Sequence, residues 1–259
     1  MRLIRFVENW NEGIAERFPF DPTHLYDFQL GLEQSLVKQY GSAHVSTRDA
    51  IGVSQLGKPG CYLSLLKLGL IDGDGDTSFR QKLIFQFGDY FEELLIFLLQ
   101  SQGFEVTRQQ EEVDFLGVKG HIDGVVNDTT IIEVKTMSGY IFDKFVAGSM
   151  EHSAYYTQLG IYSHMLDLPA VWLVLNKQTF ELGLLNLDRQ ESFYIERAKF
   201  VVNALSQIKK WSDIGKFFDP PDPEWDKRKK RLKIPFDMQH IPLKYLKRWY
   251  KTDDGLYIR

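Results

Sequence analysis

The chain has 259 residues, 44% of them hydrophobic and 25% charged, with 31 Lys+Arg against 35 Asp+Glu. Those fractions suit a soluble globular protein and exclude wholesale disorder, collagen-like repeats and coiled coil as whole-chain descriptions. A single cysteine, Cys61, excludes an intramolecular disulfide and any four-cysteine zinc or iron–sulfur site.

In chain order, residues 1–45 read as an irregular lead and then a helix, with Phe28, Leu32, Leu36 and Gln39 at helical spacing. The Ser54–Gly60 turn cluster leads into a Leu-rich helix ending near Gly69. Ile71–Asp76 is an acidic loop without the twelfth-position Glu of a calcium loop. Phe79 to Gln102 is a long helix stopped at Gly103. The period then changes from 3.6 to 2: Phe104–Phe115, Gly117–Val126 and Thr129–Thr136 read as a three-strand meander. A helix from Met150 to Leu166, strands Ala170–Asn176 and Glu181–Leu187, and a helix from Arg189 to Trp211 follow. This order predicts an α/β sheet protein with helices on both sides. From Lys227 to Arg259 eleven basic residues face three acids, so this end is +8 and residues 1–226 are −12. A basic end on an acidic body suits either a local polyanion contact or a solvated tail. No apolar run approaches the roughly 20 residues of a membrane-spanning helix, and the N-terminus lacks a secretory pattern, so the expectation is an intracellular protein with no membrane partner.

The chemistry concentrates in Gly120-His121-Ile122-Asp123-Gly124 and Ile132-Glu133-Val134-Lys135-Thr136. Alternation along a strand points Glu133 and Lys135 to one face. If the two strands pair, Asp123 lies beside Glu133, and the two carboxylates repel unless a cation sits between them. Oxygen donors favour a hard ion, Mg²⁺ or Mn²⁺. The alternative is a surface ion pair of Lys135 with a nearby acid. Upstream, Gly88-Asp89-Tyr90-Phe91-Glu92 gives a Gly-x-x-x-Glu; downstream, Gln158 and Tyr162 share a helical face at i,i+4. Glu92 shares its face with Phe85, Gly88, Leu95, Ile96 and Leu99 and is expected inward, whereas Glu93, with Gln86 and Gln100, is expected solvated.

These four pieces, in this order, resemble the PD-(D/E)XK nuclease superfamily, with Ile122 in place of its Pro, and within it the RecB-like branch of lambda-type exonucleases, CRISPR-associated RecB-like nucleases and the mitochondrial genome maintenance exonuclease. The resemblance covers about residues 50–190. It implies a restriction-endonuclease-like core, a central mixed β-sheet flanked by α-helices, over residues 46–212, with a helical lead at 1–45 and a basic C-terminal segment at 213–259. It implies Asp123, Glu133 and the Val134 carbonyl as ligands of one or two Mg²⁺ or Mn²⁺ ions, with Glu92 completing or orienting the shell. Lys135 would position or deprotonate the attacking water, and Gln158 and Tyr162 would hold Lys135, the metal shell or the DNA backbone. His121, two residues before Asp123, is a further candidate at the scissile phosphate, and Ser54, with Gln55 and Lys58, at a DNA end. Ordinary packing competes for His121 and Tyr162, and a plain cap or loop for Ser54. Cys61 stands where the iron–sulfur branch has its first cluster cysteine; without three partners it implies no cluster. Tyr140, Phe142, Phe145, Tyr155 and Tyr156 can stack on bases or belong to the core.

The function so implied is a metal-dependent DNA exonuclease acting on duplex ends or single strands, in phage or mobile-element DNA processing, in the cytoplasm of a bacterial or phage-infected cell. The rivals are an endonuclease on branched or single-stranded DNA or RNA, a nucleic-acid-binding module with a decayed site, and a structural protein with a fortuitous motif.

Overall fold

Seven consecutive buried residues, Ala170–Asn176, form an interior strand of the main sheet, a pattern that requires cover on both faces. The computed structural model describes residues 2–12, 22–40, 51–71, 79–148, 153–187, 192–220, 224–226, 231–233, 241, 245–246, 249–252 and 255–256. In chain order the elements are α1 (Arg2–Asn11), α2 (Leu25–Tyr40), α3 (Gly60–Lys67), α4 (Phe79–Ser101), β1 (Val106–Thr107), β2 (Glu112–Phe115), β3 (Val118–His121), β4 (Gly124–Val126), β5 (Thr130–Met137), α5 (Gly139–Val146), α6 (Ser153–Leu166), β6 (Ala170–Asn176), β7 (Leu182–Leu187), α7 (Ser192–Gln207) and α8 (Trp211–Ile214). Short strand pairs join Glu224–Asp226 to Arg231–Lys233 and Lys251–Thr252 to Gly255–Leu256. The acidic loop after Ile71, the starts expected at Met150 and Arg189, and most basic residues of the C-terminal stretch lie outside the described residues. Among the described residues no helix is long and apolar enough to cross a membrane.

The central sheet has the order β1-β4-β5-β6-β7. Only β5 and β6 run parallel; every other pairing in it is antiparallel. A parallel pair needs a crossover, and α5 with α6 supplies it. Period-2 alternation divides the strand residues between two cores. Ile131, Trp172 and Val174 pack with Cys61 and Leu65 of α3, Leu159 and Tyr162 of α6, and Ala198 and Val201 of α7. Ile132, Val134, Val171 and Leu173 pack with Leu95, Ile96 and Leu99 of α4 and Phe6 and Val7 of α1. The protein is therefore a mixed α/β structure whose central mixed sheet is flanked by helices on both faces.

Four local expectations change. The lead opens with a true helix, α1, whose Asn11 side chain accepts from the Leu182 amide and donates to the Leu182 carbonyl, 2.8 Å each, closing the outer edge of β7. The first two strands of the expected meander each break in two, forming one bent hairpin in which β1 pairs with β4 and β2 with β3. The bend lies at Arg108–Glu111, where Arg108 and Gln110 both take φ of +55°, a left-handed conformation no strand propagates. The aromatic stretch between Ser138 and Met150, whose spacing suggests a DNA-gripping loop, contains within its described residues 138–148 the helix α5, which buries Phe142 and Phe145 in the core. Phe142 and Phe145 are thus packing residues, and Tyr155 and Tyr156 pack their rings on Trp172. Only Tyr140 stays open, with the Lys144 ammonium 4.7 Å above its ring. Finally, the C-terminal stretch is no free tail at Ile241, Tyr245, Leu246 and Tyr250, which join the larger core, while Trp211 stacks between Tyr245 and Trp249.

Candidate active site

The β4–β5 ladder ends where the chemistry begins. Its register pairs Gly124 with Ile132, and one residue further it sets Asp123 opposite Glu133. A continued ladder would next bond Ile122 to Val134. Ile122 instead turns to the other arm of the hairpin: its amide donates to the Glu111 carbonyl (3.1 Å), and its carbonyl accepts from the Gln110 amide (2.9 Å). The Val134 amide, deserted by the strand, donates to Asp123 Oδ2 at 2.7 Å. Amide and carbonyl of one strand residue project from the same edge, so the Val134 carbonyl also faces the Asp123 side, without the Ile122 amide that a continued ladder would bring.

Glu133 is 1% exposed. Its Oε1 accepts from Lys135 Nζ at 2.6 Å and from Gln158 Nε2 at 2.7 Å. Its Oε2 is buried with no hydrogen-bond partner among the described residues. Burial, and then the Asp123 charge, push this carboxyl from an ordinary 4.5 up to about 7. Lys135 is partly open, its side chain 28% exposed. Burial opposes its charge, but Glu133, Asp123 and Glu92 outweigh it and hold the ammonium above its ordinary range. Gln158 Nε2 also lies 3.2 Å from the Tyr162 hydroxyl. Tyr162 is 1% exposed, and burial followed by the Glu133 charge pushes its hydroxyl upward.

Glu92 comes from α4 and feels the same charges. Burial first, then Asp123 and Glu133, push it up to about 9. Its Oε1 accepts from Gln110 Nε2 at 2.9 Å. Glu93 departs from expectation: α2 packs over this side of the helix, leaving Glu93 half-buried against Gly31, and burial with the Asp123 and Asp89 charges raises its carboxyl. Gln86, a mark of solvent on the helical pattern, is itself buried.

The outer candidates fare differently. His121 closes β3 opposite Glu112, exposed, with its Nε2 3.9 Å from the Glu112 carboxylate. The turn at Ile122 interrupts the alternation that would have placed His121 on the face of Asp123. Ser54 is exposed inside the 3₁₀ turn Val53–Gln55 and caps no helix, the N-cap of α3 being Pro59. Lys58 rests 5.1 Å from the centre of the Tyr62 ring. Cys61 is fully buried, and burial pushes its thiol up to about 12, so it is a packing residue. Gly120 belongs to the site's support: a Cβ there would meet the Tyr162 hydroxyl at 2.7 Å and Val53 Cβ at 2.8 Å.

Sequence reasoning missed Gln110. Its only signal is position, in a run of polar residues breaking a strand pattern; its contact with Glu92 depends on a bend that composition does not announce.

Among the described residues no three His, Cys, Asp or Glu side chains form a ready-made metal cage. The donor set nevertheless fits a hard cation. Glu133 Oε2 is a buried carboxylate oxygen with no hydrogen-bond partner among the described residues, and Asp123 and the Val134 carbonyl are on the same side of the strand.

No family model matches the sequence. The search of characterised proteins likewise gave no match. Among solved structures, this chain is similar to an alkaline exonuclease from Laribacter hongkongensis, at a TM-score of 0.47 and 13% identity over 71% of this chain and 95% of that one. It is similar also to the same exonuclease in complex with dAMP, at a TM-score of 0.46 and 12% identity, with the same coverage.

Proposed function

We propose that this chain is a divalent-metal-dependent nuclease of the PD-(D/E)XK superfamily, of its RecB-like, lambda-type exonuclease branch, hydrolysing phosphodiester bonds from DNA ends. The observation that carries the reading is the buried, unpartnered Oε2 of Glu133, beside Asp123 and with Lys135 held on the other oxygen. A protein rarely leaves a buried carboxylate oxygen without a partner, and a structural ion pair would have no use for the second oxygen. A decayed site is disfavoured by the same geometry, since Glu92, Asp123, Glu133, Lys135 and Gln158 are all present and mutually placed.

Asp123, Glu133 and the Val134 carbonyl would hold Mg²⁺ or Mn²⁺, with Glu92 beside them. When bound, the ion acidifies a water and draws charge from the phosphoryl oxygens. Lys135, held on Glu133 Oε1, would bind the phosphate and position or deprotonate the attacking water. Gln158 donates to the same Glu133 oxygen as Lys135, which leaves the buried Oε2 as the oxygen for a metal ion. The two bonds to Oε1 fix the carboxylate plane, so it does not rotate away from Asp123. The exonuclease mode, the DNA-processing setting, and DNA contacts by Tyr140, Ser54, His121 and the basic C-terminal stretch rest on the resemblance and on charge.

The test is digestion of linear DNA labelled at its 5′ or 3′ end, beside closed circular DNA, with Mg²⁺, Mn²⁺ or chelator, and with Lys135→Ala as control. Loss of label that requires ends and metal and vanishes in Lys135→Ala supports the reading. Equal cutting of circles makes the protein an endonuclease. Binding without cleavage makes it a decayed binding module.

A further inference from the structure

The bend that breaks the hairpin is itself well determined. Arg108 and Glu111 clamp it with two charge-assisted bonds, 2.5 and 2.7 Å, and Ile122 and the 110–111 backbone exchange two more. Gly124 lets the incoming strand come close, since a Cβ there would meet Val106 Cγ1 at 2.9 Å, the Thr107 carbonyl at 3.4 Å and Gln109 Cγ at 3.7 Å. Arg108 and Gln110 sit at φ of +55°, a backbone conformation that strains any residue with a side chain. Such conformations persist where surrounding bonds over-determine them, and here they aim the Gln110 amide at Glu92 Oε1, 2.9 Å away.

We propose that Gln110 is a positioning residue of the candidate active site: its amide holds Glu92 in the orientation from which that carboxylate reaches the Asp123–Glu133 pair. The proposal rests on the metal-dependent reading above. The geometry supports it in three ways. Gln110 also donates its backbone amide to the Ile122 carbonyl, so one residue ties Glu92 on α4 to the turn that places Asp123. The long α4 side chain reaches the site from a separate helix, and its lost rotamer freedom is offset by a fixed donor. Finally, the donor is neutral: a cation in this place would pair with Glu92 and compete with a metal for it, whereas an amide occupies one oxygen and leaves the other for a ligand. Partners of this kind typically change metal affinity 10–100-fold when removed.

The experiment is Mn²⁺ binding by electron paramagnetic resonance, without DNA, on wild type, Gln110→Ala, Gln110→Gly, Glu92→Ala and the double variant Glu92→Ala/Gln110→Ala. Gln110→Gly removes the amide and also the positive-φ penalty, so it tests the side chain in a bend at least as well tolerated as the native one; melting in chelator checks that each variant folds. The expected result is at least a tenfold loss of Mn²⁺ affinity in both Gln110 variants, and no added loss from Gln110→Ala once Glu92 is alanine. Wild-type affinity in Gln110→Gly, or the same loss in the presence and absence of Glu92, overturns the proposal. A wild type that binds no Mn²⁺ overturns the metal-dependent reading itself.

Discussion

Glu133→Gln removes a charge from the most buried carboxylate of the candidate site while keeping its shape, and the effect on stability follows from where the proton sits. Glu133 is 1% exposed, and burial with the Asp123 charge carries it from 4.5 to about 7. A carboxyl with a raised folded-state value binds its proton more tightly folded than unfolded. Its contribution is therefore fully present below about pH 4.5 and is lost as pH rises through about 7. At about 1.4 kcal/mol per unit, the loss at pH 8 is about 3 kcal/mol. In chelator the wild type should thus lose stability between pH 5 and pH 8, with Glu92, pushed up to about 9, extending the decline. The amide introduced by Glu133→Gln does not titrate, so at pH 8 in chelator the variant should melt above wild type, by about 6–12 °C at roughly 2–4 °C per kcal/mol for a chain this long. Mg²⁺ at 100 times its Kd should return about 2.7 kcal/mol to wild type at pH 8 and nothing to the variant. The assay is thermal melting by circular dichroism at pH 5 and pH 8, with chelator and with Mg²⁺. A variant less stable than wild type at pH 8 in chelator, or a difference that does not change with pH, would refute the reasoning.

Gln158→Ala should cost about 1–3 kcal/mol by chemical denaturation, because Glu133 and Tyr162 both lose a buried partner, and should lower cleavage without abolishing it; full activity would remove Gln158 from the site. For Gly120→Ala, the new Cβ meets the Tyr162 hydroxyl and Val53 inside 3 Å, and overpacking of about 1–3 kcal/mol is expected from urea unfolding. Asn11→Ala should lower the melting temperature by a few degrees through the loss of two bonds to Leu182, and the uncovered β7 edge should raise light scattering at high concentration. An unchanged scattering curve would show the edge to be protected by other means.

The strand that carries Glu133 and Lys135 is legible from the sequence because Ile131, Ile132, Val134 and Thr136 make it rich in β-branched residues. The stop of α4 is legible from Gly103, which takes φ of +75° and closes the helix with a Phe104-to-Leu99 bond. The Asp123–Glu133 juxtaposition follows from a short turn at Asn127-Asp128, both at positive φ, which fixes the register of the two strands. What could not be read depends on contacts distant in the chain. Arg108 and Gln110 are ordinary polar residues until the Glu111 clamp holds them left-handed. Glu93 looks solvated on a helical wheel because the wheel does not contain α2. Ser138-Gly139 looks like the start of a loop, but Phe142 and Phe145 find the sheet four and seven residues later and draw the segment into a helix.

One bond carries more than its length suggests. The carboxylate of Asp123 stands on the Val134 amide where a backbone carbonyl of Ile122 would have completed the ladder. A side chain has thus been written into the sheet as its final rung, and it brings what a carbonyl does not: a full charge and a second oxygen. Secondary structure and reactive group are consequently locked to one reading frame. Inserting or deleting a single residue in the turn between Val126 and Thr130 would slide β4 by one position along β5 and reverse its faces. It would also withdraw the acid from its amide. Evolution can lengthen the far tip at Leu116-Gly117 without touching the chemistry, but this turn has no such freedom.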